Sequence, residues 1–354
     1  MKDIGSIFPL TKEDMTLMTK GKSLPTKNEN RINFSLCREA IYAVANKYYY
    51  TKKKVLIPAY TCQTVIDPFI QQGWECCFYN INVSLRIDLD DLLFKCDNFN
   101  PSMLVVHPYY GMEINNAELE VLKTIKQRGV VILEDITQCI YTKTRPDVFD
   151  YFTGSYRKWF KIPDGGFLES KFLDLISIPE EENVSFVYKQ IDAMYLRGKY
   201  FETKDELLKI NSIKLNKEAV LEINQIRNCH KMSDFSMSIM AKEDENITIE
   251  QRFRNYNFLY DNLIQSEDIK FVCNDINEVT TAPLYFPIYV QDRSSLQNKL
   301  ALHHIYAPVL WPVNNEDVLI NENINKIYST ILMIPIDQRY DCGDMQRIVN
   351  IING

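Results

Sequence analysis

The sequence predicts an α/β protein with a mainly parallel central sheet, followed by a smaller C-terminal α+β domain. Three observations predict it. Short apolar runs, Val55-Leu56-Ile57, Met103-Leu104-Val105-Val106 and Val130-Val131-Ile132-Leu133, are each bounded by polar residues, as strands covered on both faces are. Amphipathic helical patterns alternate with these runs at a spacing that gives βαβ units. After Gly166 the strand signals thin and the chain becomes more helical and more charged. The expected division is a large α/β domain over 1–235 and a small α+β domain over 236–354.

In chain order, residues 1–30 read as an irregular lead-in. Ser35 is placed to cap a helix over 38–48. Pro58 stops the strand at Val55-Leu56-Ile57. A helix over 64–72 ends at Gly73, a residue suited to the left-handed turn after a helix. A strand over 77–81 and a helix over 89–96 lead to the strand 103–106, which ends at His107-Pro108. A helix over 117–128 stops at Gly129, and the run 130–133 ends in two acids, Glu134 and Asp135. A further apolar stretch, 148–152, leads to Gly154-Ser155, Lys158 and Asp164-Gly165-Gly166. The segment 176–222 reads as mostly helical, and a long helix with Arg252 and Arg254 covers 249–264. Strands over 284–290 and 331–334, with helices over 294–302 and 344–352, complete the chain.

Composition narrows the function classes. Of 354 residues, 46% are hydrophobic and 25% charged, the balance of a protein with a substantial core. The net charge of -7 leaves no electrostatic footprint for nucleic acid. The densest basic run, Lys52-Lys53-Lys54, is too short for such a patch and opens a strand. The N-terminal MKDIGSIFPL lacks the basic and long apolar regions of a secretory leader, and no apolar stretch has the length of a membrane span. The nine cysteines are scattered without a CxxC pair, which fits neither a metal site nor a disulfide scaffold. A reduced, cytoplasmic protein without metal is expected.

Ligands of parallel sheets bind beyond the carboxyl ends of the strands. Asp135 and Lys158 fall at such positions, and the pair suggests a cofactor with one basic nitrogen and one aldehyde. A carboxylate such as Asp135 keeps a ring nitrogen protonated, which an electron-sink cofactor needs. Gln138 is placed to donate to a ring oxygen. Tyr156, Trp159 and Phe160 surround Lys158, and an amine held near apolar rings has a lowered pKa that favours Schiff-base chemistry. Lys161 is the competing amine, and spacing does not choose between them. The helix start at Ser35-Leu36-Cys37-Arg38 offers free backbone N–H groups for a phosphate, to which Ser155 can add a hydroxyl. Tyr60-Thr61-Cys62 follows a strand end and is placed to cover a flat ring, and His107 ends another strand.

This ordered set resembles the fold-type I pyridoxal-phosphate enzymes, and within them the DegT/DnrJ/EryC1/StrS sugar aminotransferases. Glu134-Asp135-Ile136-Thr137-Gln138 is similar to the family's Glu-Asp-Ala-Ala-Gln, the most specific match. Residues 58–64 resemble its Pro-Ser-x-Thr loop, and 106–111 its His-x-Tyr-Gly strand end. His230-Lys231-Met232-Ser233 resembles its Asn-Tyr-Arg-Met-Ser segment, with Asn228 nearby. Two departures stand out: Cys37-Arg38 replaces the usual Gly-Thr, and Cys62 stands where many members place a stacking aromatic.

The resemblance implies pyridoxal 5'-phosphate bound by Lys158, chosen over Lys161 by its distance from the paired glycines. It implies Asp135 as the partner of the ring nitrogen. Gln138, Ser155, Cys37, Arg38, Cys62 and Tyr60 complete the implied cofactor site, with His107, His230, Lys231 and Asn228 at the substrate or dimer-partner site. The implied reaction moves an amino group from an amino acid, usually glutamate, to a nucleotide-linked keto-sugar for polysaccharide or secondary-metabolite synthesis, in a homodimer. Dehydratase relatives carry histidine in place of this lysine, so Lys158 argues for transamination. A non-catalytic, regulatory homologue is the rival reading.

Overall fold

The apolar runs at 55–57 and 103–106 lie in strands, and the run at 130–133 enters one at Val131. The computed structural model describes residues 2–18, 30–174, 176–224, 228–313 and 315–354, so 19–29 of the expected lead-in lie outside the described residues. The strands are β1 (Arg31–Phe34), β2 (Lys54–Pro58), β3 (Glu75–Tyr79), β4 (Met103–Val106), β5 (Val131–Asp135), β6 (Tyr151–Ser155), β7 (Gly166–Glu169), β8 (Ile269–Phe271), β9 (Tyr285–Val290) and β10 (Ile331–Pro335). The helices are α1 (Lys12–Met15), α2 (Cys37–Lys47), α3 (Gln63–Gln71), α4 (Leu89–Phe99), α5 (Asn116–Gln127), α6 (Val184–Thr203), α7 (Glu206–Glu222), α8 (Asp234–Met240), α9 (Glu245–Asn262), α10 (Arg293–Leu302), α11 (Glu322–Thr330) and α12 (Cys342–Asn353). A seven-stranded, mostly parallel sheet and a three-stranded antiparallel sheet carry the architecture, which is the expected α/β class.

The chain forms two units, each drawn from separate segments. The first comprises Met1–Ser6, Tyr50–Asp150 and Glu245–Gly354. Its parallel strands run in the order β5-β4-β2-β3, with Val106 level with Glu134 and Leu56 level with Leu104. Parallel pairing needs crossovers, which α3, α4 and α5 supply. α5 is fixed by a capping box in which Asn115 accepts from the Glu118 amide and Glu118 accepts from the Asn115 amide. All four β4 residues and all five of β10 are buried, so the sheets of this unit are its core. The antiparallel sheet runs β10-β9-β8, and Arg252 of α9, wholly buried, donates to the Leu284 carbonyl at 3.0 Å. β8 had no signal in the sequence.

The second unit comprises Ile7–Tyr49 and Tyr151–Asp244. Its strands run antiparallel in the order β1-β7-β6, with the long helices α6 and α7 in the same unit. Helices in 176–222 were expected; β1 was not, because Asn33-Phe34-Ser35 reads equally well as a helix start.

Three local expectations are corrected. The strand expected at 77–81 is β3, two residues earlier, because pairing with β2 sets it: Lys54 lies level with Glu75 and Pro58 with Tyr79. β5 includes Glu134 and Asp135 rather than ending before them. The residue before α2 is Leu36, not Ser35, and no side chain caps that helix. Ser35 is wholly buried in a bend between β1 and α2, its N–H donating to the His230 carbonyl at 2.8 Å and its carbonyl accepting from Gly165 at 2.6 Å.

Candidate active site

In the first unit the carboxyl ends of β5, β4 and β2 bring Asp135, His107 and Tyr60-Thr61-Cys62 together. The parallel register puts those ends on one edge. Asp135, only 6% exposed, accepts a hydrogen bond at Oδ1 from the Thr137 amide at 2.9 Å. Its Oδ2 lies 3.8 Å from His107 Nδ1. The other ring nitrogen, Nε2, is 2.7 Å from Thr61 Oγ1. His107 is thus oriented from both sides, by the carboxylate at the end of β5 and the hydroxyl at the end of β2. Gln138 is buried, and its Oε1 accepts from the Tyr110 amide at 3.2 Å. Its amide nitrogen has no partner among the described residues, which leaves it as a donor.

Tyr60 and Cys62 have other roles here. Tyr60 is wholly enclosed by Tyr109, Trp311 and Tyr328, with ring centroids 5.9, 4.7 and 5.2 Å away. Burial raises its phenol above the ordinary tyrosine range. It belongs to the core of the unit rather than to an open face. Cys62 occupies the N-cap position of α3, and its Sγ accepts from Thr64 Oγ1 at 3.0 Å. Trp311 carries no signal of its own in the sequence. It is half-buried and tilted 33° to the His107 ring.

Glu134 stands beside Asp135 in β5, 4% exposed. Burial pushes its carboxyl from the usual 4.5 to about 8, opposed by Arg145 and aided by Glu113 and Asp135. Folding therefore takes up a proton. The stability linked to it is full below the unfolded-state pKa and lost as pH rises through about 8. Glu134→Gln should remove this dependence and gain roughly 3–4 kcal/mol on wild type between pH 5 and pH 9. Urea unfolding at the two pH values checks it, and parallel pH profiles would contradict it.

In the second unit, β6 ends at Ser155 and a single 3-10 turn, Tyr156–Lys158, follows. Tyr156, Trp159 and Phe160 are buried, whereas Lys158 is exposed. The expectation of an amine packed among the rings is corrected: the short turn sends the rings inward and Lys158 outward. Its amine has no hydrogen bond or ion pair among the described residues. Lys161, by contrast, is 2.9 Å from Asp14 and 3.8 Å from Glu243. Ser155 has no side-chain hydrogen bond among the described residues and is half-buried.

Behind this turn lies Asp164, wholly buried, a residue whose role was not read from the sequence. It accepts from the Ser233 amide at 2.9 Å and from the Ser233 and Ser236 hydroxyls at 2.5 Å each. Burial raises its pKa, and these hydrogen bonds oppose the rise. The turn itself needs Gly165, at φ +142°. At Gly166 the need is one of space. A Cβ there would stand 2.3 Å from the Cys37 nitrogen and 2.5 Å from the Leu36 carbonyl carbon. Gly166→Ala should therefore displace the start of α2 and cost roughly 1–3 kcal/mol. Urea unfolding measures it, and an unchanged midpoint would contradict it.

The start of α2 offers backbone N–H groups at Cys37 and Arg38 with no side-chain cap. The Cys37 thiol is 3.4 Å from Thr153 Oγ1. The Arg38 guanidinium donates to the Ile223 carbonyl just after α7 at 2.7 Å. His230 Nδ1 is 2.9 Å from Glu39 Oε1, and this bond raises the imidazole pKa. Lys231 lies 3.8–3.9 Å from Asp234 and Glu182, and Asn228 is exposed.

Among the described residues no three His, Cys, Asp or Glu side chains are placed to hold a metal ion, and no helix is long and apolar enough to cross a membrane. None of the nine cysteines forms a disulfide among the described residues.

Solved structures resemble the chain over its whole length. PseC of Helicobacter pylori, an aminotransferase involved in the biosynthesis of pseudoaminic acid, is 12% identical with a TM-score of 0.66, over 99% of this chain and 98% of that one. NtdA from Bacillus subtilis, solved with the cofactor PMP, is 13% identical with a TM-score of 0.68, over 100% and 85%. DesI, solved in the presence of its TDP-sugar product, is 13% identical with a TM-score of 0.71, over 99% and 92%. No family model and no curated protein matches the sequence. At these identities the likeness is one of fold, and the chain has the fold of these three proteins.

Proposed function

We propose that the protein is a pyridoxal-phosphate-dependent aminotransferase that moves an amino group from an amino acid to a keto-sugar. One observation carries the proposal: the amine of Lys158 is exposed and unpartnered among the described residues, while its competitor Lys161 is held by Asp14 and Glu243. The rest of the donor set fits the cofactor. Backbone N–H groups at Cys37 and Arg38 and the Ser155 hydroxyl suit a phosphate. The Gln138 amide nitrogen suits a ring oxygen, and Asp135 a protonated ring nitrogen. The fold shared with PseC, NtdA and DesI supports the same reading.

In this reading Lys158 would hold the cofactor at its aldehyde carbon and would carry a proton to and from the substrate carbon. Asp135 holds the proton on the ring nitrogen, and Thr137 and His107 hold Asp135 in place. Bound pyridoxal phosphate supplies the electron sink for the carbon that loses its proton. Glutamate is the proposed donor and a nucleotide-linked keto-sugar the acceptor. The working form is a homodimer, with His230, Lys231 and Asn228 at the partner-facing side of the site. The protein and glutamate, incubated with pyridoxal phosphate and a nucleotide-linked keto-sugar, should release 2-oxoglutarate and yield the amino-sugar by mass. Absence of any oxo-acid across a panel of amino donors would overturn the proposal.

A further inference from the structure

We infer that Trp311 is the aromatic cover for the flat ring bound at the Asp135–His107 end of the first unit; the inference rests on the pyridoxal-phosphate reading. A heteroaromatic ring whose nitrogen meets a buried carboxylate needs an apolar face that keeps water from that ion pair. Cys62 supplies no such face. The nearby tyrosines are already enclosed: Tyr60 is 0%, Tyr110 1% and Tyr109 2% exposed. Their hydroxyls are committed as well, Tyr109 to the Tyr60 carbonyl at 2.6 Å and Tyr60 to Tyr110 at 3.5 Å. Trp311 alone in this cluster keeps part of its surface open.

The position of the indole is held from three sides. It leans on Tyr60 with centroids 4.7 Å apart, and it lies 6.3 Å from His107 and 6.4 Å from Tyr109. Its backbone is left-handed, φ +59°, a conformation that bulky side chains rarely adopt and that persists where surroundings impose it, often at functional sites. Just upstream, the Pro308 carbonyl accepts from Met333 of β10 at 3.1 Å, which anchors the segment to the antiparallel sheet. A residue serving only as a lid on Tyr60 needs none of the open indole surface.

The other two tryptophans are buried, Trp74 at 5% and Trp159 at 0% exposure, so a surface-sensitive readout isolates Trp311. Hydroxyl-radical footprinting with peptide mass detection, without and with pyridoxal phosphate, tests the inference. Trp311 should be the tryptophan modified in the free protein, and the cofactor should slow its modification several-fold. Trp311→Ala should bind pyridoxal phosphate about fivefold more weakly and Trp311→Phe about as tightly as wild type, as expected for one aromatic contact. Equal Trp311 modification in both states, with the cofactor's visible band present and Trp311→Ala binding as wild type does, would overturn the inference and leave the aminotransferase reading standing. If wild type takes up no cofactor at all, both are overturned.

Discussion

Under the proposed function, replacing Lys158 by alanine should abolish covalent attachment of the cofactor and lower transamination on the order of 10⁴-fold or more. The expectation follows from what the amine does and does not touch. Lys161 settles between the carboxylates of Asp14 and Glu243. Lys158 has no such partner among the described residues, so its removal breaks no structural bond and the loss is one of chemistry. In the proposed reaction tethering and proton transfer fall on the same nitrogen, and removing a group with both roles should cost more than removing either role alone. The control is Lys161→Ala. It removes a partly exposed ion pair worth at most about 1 kcal/mol and should keep turnover near wild type. Initial rates of 2-oxoglutarate release for both variants decide between the two lysines. The opposite pattern would move the tether to Lys161.

Asp135→Asn should lower turnover roughly 10³-fold, about 4 kcal/mol of activation free energy, with the fold intact. Asparagine has the same shape, and its carbonyl oxygen can still accept from the Thr137 amide now 2.9 Å from Oδ1. What it lacks is the negative charge. At 6% exposure that charge is poorly screened, and it is the term that keeps a ring nitrogen protonated. His107 loses the charge 3.8 Å from its Nδ1 as well. Turnover and the visible spectrum of the bound cofactor, measured across pH, check the expectation. Wild-type turnover in D135N would remove Asp135 from the proposed chemistry.

The first unit was the more legible half of the chain. Its parallel strands are buried on both faces, so hydrophobic runs with sharp polar ends mark them, and the ends at His107 and Asp135 mark the ligand edge of the sheet. The second unit was harder. β1 and β7 are short and antiparallel, and Asn33 and Gly166 in them carry no strand signal. The step from β1 into α2 accordingly suits a Ser35 cap in the sequence, whereas tertiary hydrogen bonds to His230 and Gly165 hold Ser35 in a bend ahead of the helix.

The same contrast holds for the candidate residues. Residue type and spacing single out Asp135, Gln138 and the 155–166 segment as candidates, because acid, amide and glycine turn each answer a local demand. Direction was not legible. Nothing in the sequence says that Arg38 reaches the carboxyl end of α7, that Tyr60 is sealed in a core, or that Lys161 rather than Lys158 is ion-paired. Asp164 and Trp311 were passed over for a related reason. One is recognised only through serines about 70 residues away, and the other only through rings drawn from distant segments.

The measurement that tests the central claim most directly is the visible absorption spectrum of the purified protein with added pyridoxal phosphate, for wild type and Lys158→Ala. The account predicts a yellow, borohydride-reducible band in wild type that is absent from the variant, with the reduced cofactor found by mass on Lys158. No such band in wild type, or an undiminished band in Lys158→Ala, would contradict it.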